Sequence, residues 1–376
     1  MSDNRRDFIK KTAALAAAVS VGSVGSAMAG SSEPELRERM EALLAHPPKK
    51  STIRIIMQPN ARISKSQLTW YKQMGIDDVT VWIDPPNDTA EFYIATKKYF
   101  AEAGINVYCM GNGAVHNQDK IVLNLPGRDA KIEEYKKHLR NMGKAGIGYT
   151  TYAHMGNGIW DSPAGATTRG GAAARNFNQY GPNNGRWNNL RFYPPLSHGR
   201  EYAEEELWEN WKHFMREVVP VAEENNVRIG VHPDDPPIPK LAGVPRIFSH
   251  FERYKKAMDI ANSPNVGLCL CVGSWMEGGD TVGTDAVGMI EHFGAQKKIF
   301  KIHFRNIEMP IPHFIETFVD SGYTNMYTIM KALKKVNFDG VLFPDHVPNM
   351  AGGNAWPFSV GYVKALRDRV EAEALV

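Results

Sequence analysis

The sequence predicts an α/β protein built as a single (β/α)8 TIM barrel, because one strand-and-helix unit recurs along the chain. Short runs rich in β-branched residues alternate with amphipathic segments whose apolar residues recur at helical spacing. Eight alternations of this kind are typical of the barrel, and a doubly wound sheet is the alternative. No glycine-rich phosphate loop follows the first strand, which counts against a nucleotide-binding sheet.

The predicted strands are each followed by a helical pattern, and a long loop follows the fourth. The strands are predicted at residues 52–57, 78–83, 105–110, 149–155, 227–232, 266–272, 299–304 and 340–346. Residues 156–199 are dominated by Gly, Asn and Pro. A loop of this length in a compact domain is typical of a functional lid or of disorder. Because it follows a strand, we expect it at the carboxyl ends of the strands, where barrel active sites are built.

The first residues of the chain indicate export. Arg5 and Arg6 precede a mildly apolar run, and Ala27-Met28-Ala29 has the small-residue pattern of a cleavage site. This pattern is typical of a twin-arginine signal, which the export machinery reads as an address. The run is too short to span a bilayer, so we expect a periplasmic protein without a membrane span. The expected division is a signal at 1–29, a linker or helix at 30–50 and the catalytic barrel at 51–376.

The net charge and the cysteine content limit the kinds of molecule that the protein is expected to bind. The formal net charge is +3 and no basic stripe is visible, so no nucleic-acid partner is predicted. Three cysteines in an exported chain leave at least one thiol outside any internal disulfide, and metal ligation is one reason to keep it. Aromatic residues in 208–214 indicate either a homo-oligomer interface or helix packing on the barrel.

The ends of the last four predicted strands carry metal-competent side chains. His232, Cys271 and Asp345 close strands, and His303 lies late on another. Alone, each has an ordinary explanation, such as a hydrogen-bonded core histidine, a small buried cysteine or a helix-capping aspartate. Together, four such residues at corresponding places on successive strands predict a site for a divalent transition ion.

The fifth strand runs into an unusual turn, HPDDPP at 232–237. Its prolines restrict the backbone to a rigid extended turn that holds Asp234 and Asp235. We expect these acids to contact a polyhydroxyl substrate or to orient His232, and the alternative is a loop with two solvated acids.

Several segments together resemble bacterial D-mannonate dehydratases. They are HPDDPP at 232–237, LCVGS at 270–274, IHFRN at 302–306, PDH at 344–346 and the pair Val115-His116. The resemblance covers most of the chain after the leader. This sequence departs from the family at 54–57, where RIIM replaces Arg-Trp-Tyr-Gly, and at Pro357, where a tyrosine is usual. Cys269 has no counterpart in the family pattern, and we expect it to face away from the site.

The resemblance implies a metal-dependent barrel that removes water from D-mannonate to give 2-keto-3-deoxy-D-gluconate. The implied metal is Mn²⁺ or Fe²⁺, and Zn²⁺ also suits two imidazoles and a thiolate. The motifs assign the metal ligands to His232, Cys271, His303 and Asp345.

Other residues are expected to act on the sugar acid itself. His346 is the expected acid because histidine titrates near neutrality. Arg305 is expected to bind the substrate carboxylate, and its alternative is an ion pair at the barrel rim. The remaining expected contacts are the catalytic acids Asp234 and Asp235 and the substrate-binding residues His116, His154, Trp160 and Arg169.

Two other functions remain open at this point. Enolisation beside a metal-bound carbonyl also serves a sugar or keto-sugar isomerase or epimerase of the same superfamily. A periplasmic protein that binds sugar acids without catalysis is the second alternative.

Overall fold

The computed structural model describes residues 51–373 together with Ser32, Pro34, Glu35, Arg37, Glu38 and Glu41. The predicted signal at 1–29 and most of the predicted linker at 30–50 lie outside the described residues. Within that linker, residues 34, 35, 37, 38 and 41 are helical. The described residues from 51 onward form one compact unit.

Eight parallel strands form a barrel, which confirms the predicted fold. They are β1 (Arg54–Met57), β2 (Asp78–Ile83), β3 (Asn106–Asn112), β4 (Tyr149–Ala153), β5 (Arg228–His232), β6 (Val266–Cys271), β7 (Ile299–His303) and β8 (Val341–Phe343). Hydrogen-bonded neighbours follow the order β3-β2-β1-β8-β7-β6-β5-β4, and β3 also contacts β4. Spatial order therefore follows sequence order, as consecutive βα units require.

The outer layer consists of helices that alternate with the strands. They are α1 (Lys65–Gln73), α2 (Ala90–Ala101), α3 (Arg128–Ala145), α4 (Glu204–Glu224), α5 (Phe251–Ala261), α6 (Ala286–Ala295), α7 (Met326–Lys335) and α8 (Ala355–Glu373). Helix α8 begins earlier than its sequence pattern indicates, because Pro357 falls in its first turn, where proline is tolerated. Among the described residues, no helix is both long and apolar enough to cross a membrane.

The stretch after β4, residues 156–199, contains short strands instead of the irregular loop expected from its composition. These are Ile159–Asp161, Ala166–Thr168, Ala172–Ala174, Asn176–Asn178, Asn184–Trp187 and Leu190–Phe192. Each is three or four residues long and none alternates apolar with polar residues over a useful length, so sequence periodicity could not reveal them. We call residues 156–199 the insertion.

The insertion is joined to the opposite side of the barrel mouth. Its strand Asn176–Asn178 pairs antiparallel with His313–Thr317, a strand in the connection after β7. Inside the barrel, apolar side chains from separate strands meet, among them Tyr108, Tyr149 and Phe343. The barrel centre is therefore a packed core, and the functional groups lie above it at the strand ends.

Candidate metal centre and active site

Three side chains converge at the carboxyl ends of adjacent strands. His232, Cys271 and His303 are the last residues of β5, β6 and β7. Cys271 and His303 are partners in the parallel ladder, so they end at the same height. The ligand atoms of the three residues lie within 4.8 Å of one another. Sequence reasoning predicted this convergence from strand position.

Asp345 reaches the same place from beyond the end of β8. The strand ends at Phe343, and Asp345 adopts a left-handed backbone with φ of 61°, which aspartate tolerates better than most residues. Its Oδ1 lies 3.4 Å from His303 Nδ1, and its Oδ2 lies 3.8 Å from Cys271 Sγ. The four predicted ligands therefore form one cluster.

The cluster fits a divalent transition ion. His303 Nδ1 is buried without a hydrogen-bond partner among the described residues. Buried polar atoms normally have a hydrogen-bond partner or bind an ion, so this nitrogen is available as a metal ligand. Burial lowers the pKa values of His232 and His303, so both imidazoles are neutral, as ligation requires. Burial raises the pKa of the Cys271 thiol, and a cation beside it would offset that effect. Two nitrogens, one sulfur and one carboxylate suit such an ion.

The expectation that Cys269 faces away from the site is wrong. Residues two apart on a strand share a face, so Cys269 points into the barrel on the same side as Cys271. Its Sγ lies 3.5 Å from His303 Nε2. Cys269 therefore contacts the ring nitrogen of His303 that is turned away from Asp345.

Arg305 is enclosed by acceptors from the protein and is 1% exposed. Its Nε donates to Asp345 Oδ2 over 3.1 Å. Its remaining partners are Ser274 Oγ at 3.0 Å, Glu277 Oε1 at 2.7 Å, Asp235 Oδ2 at 3.4 Å and Glu316 Oε1 at 3.3 Å. This arrangement corresponds to the ion pair at the rim that we considered as the alternative. It orients Asp345, and burial keeps the guanidinium from a substrate carboxylate, although its Nη1 has no hydrogen-bond partner among the described residues.

His346 lies at the mouth of the site, beside the acid Glu316. The His346 side chain is 42% exposed, and its Nδ1 lies 2.8 Å from Glu316 Oε1. Loss of solvent around the ring opposes protonation, but the charges of Asp345 and Glu316 raise the pKa of His346 to about 9. Sequence reasoning did not single out Glu316, because it lies on a short strand within a loop and not at the end of a barrel strand.

The two acids of the HPDDPP turn are buried and face different neighbours. Asp235 contacts Arg175 Nη2 at 2.5 Å and accepts from Ser274 Oγ at 3.1 Å. Asp234 Oδ2 accepts from the Phe248 amide at 2.8 Å, and its Oδ1 lies 3.5 Å from Arg246 Nη1.

Neither acid is solvated, since each is 1% exposed. Burial raises the pKa of Asp234 to about 6, and Asp234 holds the turn to the segment before α5. Direct contact of Asp234 with a substrate hydroxyl is therefore not favoured. Asp235 takes part in the acid and arginine network around Arg305.

Comparison with known proteins places the chain in a family. Residues 181–374 match the sequence profile described as D-mannonate dehydratase (UxuA). The mannonate dehydratase of Oceanobacillus iheyensis is 31% identical over 274 residues, which cover 67% of this chain and 75% of that protein. The Thermotoga maritima mannonate dehydratase is 30% identical over 72% of this chain and 81% of its own.

The chain belongs to the D-mannonate dehydratase family. Among solved structures, the mannonate dehydratase of Streptococcus suis serotype 2 superposes with a TM-score of 0.75 at 25% identity, covering 86% of this chain and 95% of that chain. An L-ribulose 3-epimerase superposes with a TM-score of 0.56 at 12% identity and shares the fold alone.

Among the family-implied contacts, His116 lies near the metal cluster. Its carbonyl accepts from the Ala153 amide, and Ala153 is the ladder partner of His232. Its ring stacks on Trp187 of the insertion at 5.1 Å and meets the edge of Trp82 at 4.7 Å. Burial lowers the pKa of His116 to about 3, so the ring is neutral. Trp82 and Trp187 were not singled out in the sequence, because no motif marks them.

His154 does not join the site. Its ring packs against Trp211 of α4 and Phe248, on the outer side of the barrel. Its Nδ1 lies 2.9 Å from the Tyr152 hydroxyl, and burial lowers its pKa to about 3. The structure therefore makes His154 a core histidine between strand and helix.

Trp160 and Arg169 are not placed as residues that close over the substrate. Trp160 is fully buried, and its indole N–H donates to the Asn157 carbonyl. Arg169 forms a two-pronged pair with Asp320 over 2.8 and 3.1 Å, and its side chain is half-exposed. Both residues hold the insertion in place.

The start of α8 contributes an aromatic group that the sequence did not indicate. Trp356 stacks on Phe343 with ring centroids 5.4 Å apart, and Phe343 lies 5.9 Å from the His303 ring. Trp356 immediately precedes Pro357 in the first turn of α8. The indole of Trp356 therefore reaches the His303 side of the site through Phe343.

Proposed function

We propose that this protein dehydrates D-mannonate to 2-keto-3-deoxy-D-gluconate and water with the help of a divalent metal ion. The observation that carries the proposal is the cluster of His232, Cys271, His303 and Asp345 beside His346, in a chain of the D-mannonate dehydratase family. Relatives about 30% identical to this chain bear the name mannonate dehydratase. The enzyme class is therefore a carbon–oxygen hydro-lyase.

Over the whole reaction, the hydrogen on C2 and the hydroxyl group on C3 are lost as water, and the enol that remains becomes the 2-keto group. A bound divalent ion supplies Lewis-acid stabilisation for the negative charge that develops beside the carboxylate. His346 supplies a proton to the departing hydroxyl. The Glu316 carboxylate engages Nδ1 of His346, so Nε2 is the nitrogen free to face the substrate.

The buried acids and arginines hold these groups at fixed positions. Arg305 donates to Asp345 and thereby orients one metal ligand. His232 Nδ1 lies 2.7 Å from the Pro233 carbonyl, which fixes the ring so that Nε2 faces the other ligands. The prolines of the HPDDPP turn keep that carbonyl in place.

We propose Mn²⁺ or Fe²⁺ as the physiological ion, and Zn²⁺ is compatible with the same donors. The choice is tested by preparing metal-free protein and restoring each ion separately. Turnover with Mn²⁺ or Fe²⁺ that exceeds turnover with Zn²⁺ supports the proposal, and the reverse order refutes it.

A single incubation with D-mannonate and Mn²⁺ tests the function against its alternatives. Formation of a 2-keto-3-deoxy acid supports a dehydratase. Solvent hydrogen exchange at C2 without loss of water would instead support an isomerase or epimerase. Binding without either change would support a sugar-acid binding protein. The epimerase structures are not evidence for that activity here, because they share only the fold at this level of identity.

The proposed cellular location is the periplasm, reached through the twin-arginine export machinery. The support is the Arg5-Arg6 pair and the Ala27-Met28-Ala29 pattern at the end of the leader. Sequencing the N-terminus of protein recovered from the periplasm should give a start at Gly30. An intact Met1 on all recovered protein would refute cleavage at this point.

A further inference from the structure

Arg175 lies directly opposite Glu316 where the insertion meets the barrel mouth. The Glu316 amide donates to the Arg175 carbonyl over 2.9 Å, and the next pair in the ladder is Asn176 with Ile315. Residues that oppose each other on antiparallel strands present their side chains on the same face. The strand pairing therefore places the Arg175 guanidinium beside the Glu316 carboxylate.

The guanidinium of Arg175 is buried in a set of specific contacts. Nη1 donates to Glu316 Oε1 over 3.0 Å. Nη2 donates to the Trp160 carbonyl over 2.7 Å and to Asp235 Oδ1 over 2.5 Å. The side chain is 9% exposed, and its guanidinium carbon lies 5.2 Å from the centre of the Phe314 ring. These contacts distinguish it from an exposed surface pair, which contributes little.

Two short paths lead from Arg175 to the reacting groups. The first passes through Glu316, whose Oε1 also contacts His346 Nδ1 at 2.8 Å. The second passes through Asp235 to Arg305, which donates to Asp345. Arg175 comes from the insertion, whereas Asp235 and Glu316 come from the connections after β5 and β7.

The Glu316 oxygen that faces His346 is held by two arginines at once. Arg175 Nη1 lies 3.0 Å and Arg305 Nη1 lies 3.3 Å from Oε1. Without Arg175, the carboxylate keeps a single cation on that side and gains freedom to rotate. Rotation would lengthen the contact to His346 Nδ1 and release the ring.

From this geometry we infer that Arg175 is a positioning residue, delivered by the insertion, that orients His346 through Glu316. The inference rests on the proposed function, in which His346 protonates the departing hydroxyl. It assigns the insertion a role in catalysis, since the site is complete only when the strand Asn176–Asn178 is paired.

The kinetic test compares Arg175→Met with Arg175→Lys. We expect kcat to fall about 10- to 100-fold in Arg175→Met, the usual effect of removing a residue that orients a functional group, with KM and metal content within twofold of wild type. Lysine keeps a positive charge that can pair with one of the two acids, Glu316 or Asp235, so Arg175→Lys should recover part of kcat. Arg191→Met is the matched control, because Arg191 is an exposed insertion residue that donates to the Asn188 and Leu190 carbonyls, and kcat should be unchanged.

A second readout follows the His346–Glu316 contact without substrate. In Zn²⁺-loaded protein, which is diamagnetic, the His346 Nδ1 proton should give a downfield NMR signal, assigned by its loss in His346→Asn. We expect this signal to be lost or shifted in Arg175→Met and partly restored in Arg175→Lys. A signal unchanged in both variants overturns the inference, even if kcat falls. If Arg175→Met does not fold, the lysine variant decides.

The two proposals fail in different ways. A wild-type protein that forms no 2-keto-3-deoxy acid refutes the dehydratase proposal while the NMR comparison still tests the role of Arg175. If the wild-type protein is a dehydratase but the His346 Nδ1 proton signal is the same in wild type and in both Arg175 variants, only the present inference is refuted.

Discussion

The two halves of the barrel mouth are built from different chemistry. The half formed by β5 to β8 carries the metal cluster and the buried acids and arginines around Arg305. The half formed by β2, β3 and the part of the insertion around Trp187 carries rings, with His116 between Trp82 and Trp187. We call these the charged half and the aromatic half.

The difference indicates a division of work between the halves. The charged half fixes protons and metal ligands, because its groups are paired and their pKa values are displaced by neighbouring charges. The aromatic half is neutral, since burial lowers the pKa of His116 to about 3. We expect changes in the charged half to affect metal content and kcat, and changes in the aromatic half to affect KM.

The largest effect is expected from removal of a ligand in the charged half. His232→Ala should lose bound metal and activity together, because the remaining donors no longer complete the site. Metal analysis and turnover of the purified variant measure both losses. His213→Ala, on the exterior of α4, is the control and should keep both. Full metal occupancy in His232→Ala would remove His232 from the ligand set.

The next effect separates catalysis from metal binding within the same half. His346→Asn should retain metal and lower kcat by about 10²- to 10⁴-fold, the usual contribution of a positioned acid. Metal content and kcat are measured on the same preparation. An unchanged kcat would exclude His346 as the acid.

A pH effect on stability tests the burial of Glu277 in the charged half. Burial, aided by Asp235, raises the pKa of Glu277 from 4.5 to about 8. The folded protein therefore favours the protonated acid, and its contribution to stability is lost as pH rises from about 4.5 to about 8. In that window, wild-type unfolding free energy should fall relative to Glu277→Gln, at a slope of up to about 1.4 kcal/mol per pH unit.

The control for this measurement is Glu291→Gln, since Glu291 forms a surface pair with Lys335. Denaturant unfolding at several pH values should give wild type and Glu291→Gln the same pH dependence. Parallel curves for wild type and Glu277→Gln would show that Glu277 is ionised throughout the range.

The smallest effect is expected in the aromatic half. Trp187→Leu removes the ring stacked on His116, a pair worth about 1 kcal/mol, and the freed His116 ring should raise KM by up to roughly fivefold. Metal content and kcat should stay at the wild-type level. Trp70→Leu, on the exposed side of α1, is the control. Loss of metal in Trp187→Leu would break the proposed division between the halves.

Sequence reasoning reached the charged half more fully than the aromatic half. The metal cluster was predictable because each ligand ends or follows a barrel strand, and strand ends can be read from short apolar runs. Glu316 and Arg175 could not be predicted, since their contact depends on pairing between two short strands far apart in the chain. We expected His154 at the barrel mouth, but it follows β4 directly, and the alternation of side chains along that strand turns it toward α4.

The pairing of Asn176–Asn178 with His313–Thr317 also has a consequence for how the chain is made. Arg175 and Glu316 are 141 residues apart, so a growing chain exposes the arginine long before its partner has been synthesised. Such a distant contact forms late, after the intervening strands and helices have closed the loop between them. Nascent chains that stop before β8 would carry most of the barrel but lack the last ligand, Asp345.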